Sequence, residues 1–346
     1  MILAFELSGE HTSLPASEAL ACLEIQQAKP RLILAVKGLL VVEVEKVEVE
    51  ELAERLALTH RVLEVIATSK ASTESILEMA EALDFRKWVK EGERYAIRVK
   101  TTTGSRHSSM LEARIGSVLY RQGLRASLKR PDISFRLLLT PQLAFFCRLA
   151  AETRRKEFKN RKPQSKPFFY PGVILPTIAR ALVNLTLTRK GESLLDPFCG
   201  TASIPVEAGI LGIHPIASDI QEKMVIGARA NLQYYLDSYT LLFQDASRLA
   251  LKNNTIDGIA TDVPYGRSAA VRADSLEVLI KKSLTEFYRV LRPGRRLVIT
   301  SNRPLAKTAR SQGFKILEIH LQRVHRSLTR RIYVMEKPAP PGHTGV

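Results

Sequence analysis

The chain is short of cysteine, of acidic residues and of glycine-rich turns. Its three cysteines, Cys22, Cys147 and Cys199, are an odd number and form no C-x-x-C pair. That excludes a disulfide framework and argues against a structural zinc site, so no metal is expected. No uncharged apolar run approaches the roughly 18 residues of a spanning helix, because the best candidates are broken at Lys37, Arg180 and Glu207. The opening MILAFELSGE carries Glu6 and Glu10 but no Lys or Arg, and so lacks the basic start of a secretory signal. A membrane partner is excluded and a cytoplasmic location expected. Neither G-x-G-x-x-G nor a P-loop occurs, which counts against a dinucleotide or a nucleoside triphosphate as ligand.

What is present is base. The 346 residues hold 52 Lys and Arg against 35 Asp and Glu, a net charge of +17, with 45% hydrophobic residues. This much apolar content makes a folded protein of two or three domains rather than a disordered polycation. Residues 1–90 carry 10 basic and 15 acidic side chains, residues 91–170 carry 18 and 6, residues 171–280 carry 9 and 11, and residues 281–346 carry 15 and 3. Two basic blocks flanking a neutral one fit a bipartite surface for a polyanion better than scattered solvated charge.

The first 160 residues mix short β-branched runs (Ile2 to Phe5, Arg31 to Val36, Val41 to Val44, Val62 to Ala67, Tyr95 to Val99) with helix-like stretches over Ala16 to Gln27, Val49 to Leu58, Thr73 to Leu83 and Ser109 to Arg121. Ser72 or Thr73 is placed to cap the third helix. Residues 154–175 follow, dense in Lys, Arg and Pro, with the composition of a linker. From Pro176 strands and helices alternate. Strands over Ser193 to Asp196, Pro215 to Asp219, Ile256 to Asp262 and Arg296 to Ser301, separated by helices, predict an α/β doubly wound, mostly parallel sheet. Lys315 to Leu321 and Arg331 to Met335 predict an antiparallel hairpin at its edge.

Chemistry concentrates at predicted strand ends. LLDPFCGTASIPVEA (194–208) ends a strand at Asp196, turns through Phe198, Cys199 and Gly200, and opens a helix near Thr201 and Ser203. In such sheets ligands sit at the carboxyl ends of the strands. With one glycine the turn suits a nucleoside without phosphates, pointing to S-adenosylmethionine rather than NAD. Asp219, followed by Ile220, lies 23 residues on, near the offset at which an acid meets ribose hydroxyls. Asp245 and Ala246 follow the next strand, where a carboxylate can accept from an adenine amino group. Any one of these acids could be a helix cap, but three in register favour a ligand site. In TDVPYG (261–266), the Asp262 carboxylate and the Val263 carbonyl are acceptors for an exocyclic amine, and Tyr265 offers a face for stacking. Acceptors at the amine hydrogens favour the positive charge that grows on nitrogen during methyl transfer.

These segments resemble class I S-adenosylmethionine-dependent amino-methyltransferases with an Asp-Pro-Pro-Tyr signature. PFFYPG (167–172), HRSLTR (325–330), THRVL (59–63) and VKTTTGSRHSS (99–109) narrow the resemblance to archaeal tRNA guanosine-10 N2-methyltransferases with an N-terminal THUMP domain. The resemblance covers nearly the whole chain. It implies a seven-stranded Rossmann-like methyltransferase sheet over 176–346, a ferredoxin-like α+β start domain over 1–58, a THUMP RNA-binding module over 59–153 and a basic linker over 154–175. It implies that Asp262 and the main chain of Val263 and Pro264 hold the guanine amine while Tyr265 stacks. Tyr170, Pro171, Asp196, Phe198, Cys199, Gly200, Thr201, Ser203, Asp219, Ile220, Asp245 and Ala246 would line the S-adenosylmethionine site. Arg106, Arg121, Arg125, Lys129 and Arg130, with Arg323, Arg326, Arg330 and Arg331, would contact tRNA. Val263 stands where the family pattern has Pro. The carbonyl is what accepts, so activity is expected with a looser φ restriction.

The expected product is N2-methyl- and N2,N2-dimethylguanosine at tRNA position 10. The alternatives are another RNA guanosine, such as tRNA position 6 or a ribosomal site, and an RNA-binding protein with a decayed pocket. The oligomeric state is open, a monomer included.

Overall fold

Short β-branched and leucine-rich runs become strands where neighbouring strands can cover them, and here they sort into two sheets. The computed structural model describes residues 1–102, 108–264, 273–325 and 328–340. Contacts divide the chain into two units: Met1–Thr12, Gln26–Glu54 and Thr59–Thr153 form one, and Ser13–Ile25, Arg55–Leu58 and Arg154–Val346 the other.

The first unit carries β1 (Ile2–Leu7), β2 (Arg31–Val36), β3 (Leu39–Glu43), β4 (Thr59–Lys70), β5 (Arg94–Thr101), β6 (Arg125–Ala126), β7 (Ile133–Leu139) and β8 (Leu143–Glu152). They form one mixed sheet in the order β2-β3-β1-β4-β8-β7-β5-β6. Strands from the expected segments 1–58 and 59–153 therefore share a sheet, joined where β1 pairs antiparallel with β4. In chain order the helices are α1 (Leu14–Ile25), which belongs to the second unit, then α2 (Val49–Arg55), α3 (Thr73–Ala82) and α4 (Ser108–Arg121). Ser72 caps α3 by accepting from the Ser75 amide at 3.1 Å. Strands β6, β7 and β8 were not expected, because ISFRLLL and LAFFCRLAAE lack a clean two-residue alternation. They supply Phe135 and Phe146, whose rings meet Phe85 at 5.4 and 5.2 Å in the core.

The second unit continues with α5 (Pro176–Leu185), β9 (Ser193–Asp196), α6 (Ser203–Ile210), β10 (His214–Asp219), α7 (Glu222–Tyr235), β11 (Thr240–Phe243), β12 (Ile256–Asp262), α8 (Ala273–Val290), β13 (Leu291–Ser301), α9 (Ala306–Ser311), β14 (Lys315–His325) and β15 (Leu328–Glu336). Its sheet runs β11-β10-β9-β12-β13-β15-β14, seven strands as expected. The first five are parallel, and β15 enters antiparallel between β13 and β14. The order reverses between β9 and β12, which places the ends of Asp196 and Asp262 at the switch point, where open α/β sheets bind ligands.

Two segments pack differently from their expected roles. Helix α1 joins the core of this unit through Leu14 and Ala21 beside Ile178 and Leu182. Its Glu18 is fully buried and accepts from the amides of Ala57 and Leu58 and from Asn184 Nδ2 at 2.8–3.0 Å. Residues 154–175, which have the composition of a linker, belong to the same compact unit. Arg161 donates to Glu207 at 2.7 Å and lies over the Phe158 ring, and both Arg161 and Phe158 are buried. Glu207 also pairs with Arg180 at 2.8 Å, so this acid on α6 joins the basic segment to α5. No described helix is long and apolar enough to cross a membrane.

Candidate active site

Strand β9 is SLLD, with all but Ser193 buried, so its last residue is delivered into the sheet's interior edge. Asp196 is 2% exposed and its Oδ1 accepts from Thr261 Oγ1 at 2.7 Å and the Phe198 amide at 3.2 Å. Burial pushes its carboxyl up to about 8 against the pull of those hydrogen bonds, with Asp262 and Asp219 adding to the rise. The chain then reverses through Gly200 at φ 49° and Ala202 at φ 59°. A Cβ on Gly200 would meet nothing within 4 Å, so it is the left-handed backbone that calls for glycine there. The turn is tied to β10: the Cys199 amide donates to Ser218 O at 2.9 Å and the Gly200 amide to Asp219 Oδ2 at 3.0 Å. Asp219 Oδ1 takes the Gln221 amide at 2.9 Å, and burial raises its carboxyl too. Asp219 thus ties the Gly200 turn to the turn that leads into α7 and forms part of the cleft wall.

Opposite this turn runs the aromatic segment 167–174. Phe168 is clamped by Asn231 of α7, which accepts from its amide at 2.9 Å and donates to its carbonyl at 2.9 Å, while the same Nδ2 reaches Thr201 O at 2.9 Å. Just before it, Lys166 donates to Ser203 Oγ at 2.7 Å; burial lowers the ammonium to about 8, with Glu207 opposing and Arg161 adding. Tyr170 and Pro171 then line a cleft of about 230 Å³ together with Asp196, Phe198, Cys199, Gly200, Thr201, Ser203, Asp219 and Ile220. Asp262, Val263 and Pro264 form its far side.

Strand β12 is buried along its length and ends at Asp262. Thr300 of β13 donates its hydroxyl to Asp262 Oδ1, and Arg330 of β15 stands 3.6 Å from Oδ2. Val263 is 2% exposed and packs into the core with Leu195 and Leu276. Its amide donates to Thr300 O at 3.2 Å, a bond that proline could not make. The looseness expected from losing proline is therefore offset by an added hydrogen bond and a buried side chain.

Not every expected residue reaches the cleft. Asp245 and Ala246 follow β11 but do not line it: Asp245 Oδ1 caps the next turn through the Ser247 amide at 2.8 Å, and Ala246 packs into the core. Arg330, expected on the RNA surface, is 6% exposed, because strand alternation turns it inward while Thr329 stays exposed. In the first unit Arg121, Arg125, Lys129 and Arg130 are exposed, Arg121 pairing with Glu81 at 2.9 Å; Arg323 of β14 is exposed as well, and Arg331 is half-buried and donates to Asn302 O at 3.0 Å. Tyr265, Arg106 and Arg326 lie outside the described residues. The cleft also takes Met224 from α7 and Leu279 from α8. Met224 lies in the first turn of α7, just after the expected Asp219 and Ile220, whereas nothing in the sequence marks Leu279.

The family model "RMKL-like, methyltransferase domain" (UPF0020) matches residues 163–332. A tRNA (guanine(10)-N2)-dimethyltransferase of Methanothermobacter thermautotrophicus is 33% identical over 96% of this chain and 98% of its own length. The chain belongs to the tRNA (guanine(10)-N2)-dimethyltransferase family. The enzyme of that name from Pyrococcus abyssi is 36% identical over 85% of this chain and 88% of its own. The crystal structure of TrmN from Thermus thermophilus shares the fold, with a TM-score of 0.57 and 24% identity over 97% of this chain and all of its own.

Membership makes the protein an S-adenosylmethionine-dependent methyltransferase. The cleft fits that cosubstrate on its own evidence. Thr201 Oγ1 is buried in the cleft wall without a hydrogen-bond partner among the described residues. Such an atom calls for a hydrogen bond from a bound ligand or an ordered water. The remaining wall mixes apolar side chains with acids at strand ends, the pattern of a nucleoside pocket.

Proposed function

We propose that the protein methylates the exocyclic N2 amine of guanosine 10 in tRNA, giving N2-methyl- and then N2,N2-dimethylguanosine. The observation that carries this reading is the meeting, in one cleft, of the Asp196–Gly200 turn with the Asp262–Pro264 turn. S-adenosylmethionine supplies an activated methyl group on its sulfonium sulfur when bound against the first turn. The Asp262 carboxylate and the main-chain carbonyls of Val263 and Pro264 accept the amine hydrogens and direct the nitrogen lone pair along the transfer axis. Tyr265 stacks on the base. Acceptors placed in advance stabilise the charge that develops on nitrogen, and no strong base is needed because the methylated aminium readily loses its proton.

The first unit is the RNA-capturing part in this reading, with residues 59–153 as its THUMP module and Arg121, Arg125, Lys129 and Arg130 as phosphate contacts. Arg323 would hold RNA beside the active site. Position 10 lies in paired RNA, so the base leaves its stack at a cost of a few kcal/mol, which phosphate contacts offset. The test is mass spectrometry of nucleosides from tRNA incubated with the protein and S-adenosylmethionine. N2-methylated guanosine that disappears when position 10 is replaced is expected. Undiminished methylation of that transcript would move the substrate to another guanosine, and no methylated guanosine would end the proposal.

A further inference from the structure

Within the basic C-terminal hairpin one cation behaves unlike a surface contact. Arg330 is 6% exposed, whereas Arg323 on the paired strand is exposed. From β15 its Nη2 donates to Gly172 O at 3.1 Å and stands 3.6 Å from Asp262 Oδ2. Gly172 closes the aromatic segment at φ 86° and lines the cleft on the cosubstrate side. Asp262 lines it on the amine side, with its other oxygen held by Thr300 from β13. One guanidinium therefore touches both walls, and two strands orient the two oxygens of one carboxylate.

The cost of burying a guanidinium is large unless it is paired and hydrogen-bonded, as this one is. Its distance to Asp262 is longer than a charge-assisted hydrogen bond, so it orients the carboxylate by charge without capping it. Both contacts run through one nitrogen, Nη2, so the geometry asks for a single cationic donor at that depth.

We propose that Arg330 is a positioning residue for methyl transfer, holding the Asp262 carboxylate and the Gly172 carbonyl in register so that amine and methyl donor meet in line. This rests on the amino-methyltransferase reading of the cleft. It places Arg330 outside the tRNA-contacting set, with its effect falling on kcat and on cosubstrate affinity.

The test compares wild type, Arg330→Met and Arg330→Lys by kcat and KM with tRNA, tRNA affinity by filter binding, cosubstrate affinity by calorimetry, and thermal unfolding. Misplacing reacting atoms by about 1 Å costs on the order of 100-fold, so a kcat loss of that size is expected for Arg330→Met. Its KM and tRNA affinity should stay within about twofold of wild type, because a buried cation contributes little to counterion release. Calorimetry should show weaker cosubstrate binding, since Gly172 loses its donor. Arg330→Lys, which keeps a cationic donor on a shorter side chain, should recover part of kcat and carries the test alone if the Met variant does not fold.

Weakened tRNA binding with kcat intact would make Arg330 a phosphate contact and overturn the proposal. So would wild-type kcat in either variant, or a folded Lys variant no better than the Met variant. Absence of transfer by wild type would instead end the reading on which the proposal rests, and the proposal with it.

Discussion

The Phe168 ring lies over Gly227 so closely that a Cβ on that glycine would stand 2.0 Å from it. Phe168 is also the residue that Asn231 grips through both backbone atoms, one helical turn further along α7. Helix α7 thus seats the aromatic segment that covers the cleft, and the seat needs a residue without a side chain.

Gly227→Ala should lift Phe168 and with it Tyr170 and Pro171. The helix itself gains by about 0.5–1 kcal/mol from the change, so the variant should fold. Cosubstrate affinity measured by calorimetry should fall about tenfold, the effect of losing roughly 1.4 kcal/mol. Wild-type affinity would show that the aromatic segment is not part of that site.

Asp196 should make the protein's stability depend on pH. Its carboxyl stays protonated in the fold up to about 8, while in the unfolded chain it ionises from about pH 4. Between those values the unfolded state binds fewer protons, so this group's contribution is fully present below about pH 4 and is lost as pH rises towards 8. Asp196→Asn keeps an acceptor for Thr261 and Phe198 and has no proton to lose. In thermal scans without cosubstrate its midpoint should match wild type near pH 4 and exceed it increasingly up to pH 8. A gap that stays constant would mean that the native carboxylate is ionised throughout.

Asp262→Ala should cut turnover sharply, and because it also strips the buried Arg330 of its carboxylate, the thermal midpoint is measured beside it. Removing one preorganised group that meets developing charge costs about 100-fold or more in kcat. Labelled methyl transfer to tRNA is the measurement, with calorimetry confirming that S-adenosylmethionine still binds. Unchanged transfer would mean that the amine is held elsewhere.

Replacing Arg121, Arg125 and Arg130 together should weaken tRNA binding and flatten its salt dependence, with log K against log salt losing a slope of about 0.7–0.9 per phosphate contact removed. Cosubstrate affinity should not change, since none of the three lines the cleft. Arg121 should contribute least, because Glu81 already engages it. Equal loss of both affinities would show that the charge is structural.

Much of the second unit was legible in advance. β12 has the predicted bounds, Ile256 to Asp262, and β9 ends at the predicted Asp196. Parallel strands buried on both faces are short apolar runs, and the acid that ends each run marks where the sheet stops and the cleft starts. β7 and β8 were missed, because an apolar run without alternation reads equally as helix or strand. Helix α1 was recognised, but its partner is about 160 residues away, and contacts at that separation leave no local pattern.

The sequence by itself determined the sheet's alternation, the turn after Asp196, the DVPY segment and the division of charge, all properties of residues near one another in the chain. Only the tertiary structure decided which charges do what. Arg323 and Arg330 are both basic residues of the same hairpin, yet one is exposed and the other faces Asp262. Asp219 ends β10 and Asp245 follows β11, yet of the two only Asp219 lines the cleft. Composition counts a charge wherever it lies, whereas strand alternation and the sheet order β12-β13-β15 set its depth, and depth sets whether it meets solvent or the reacting groups.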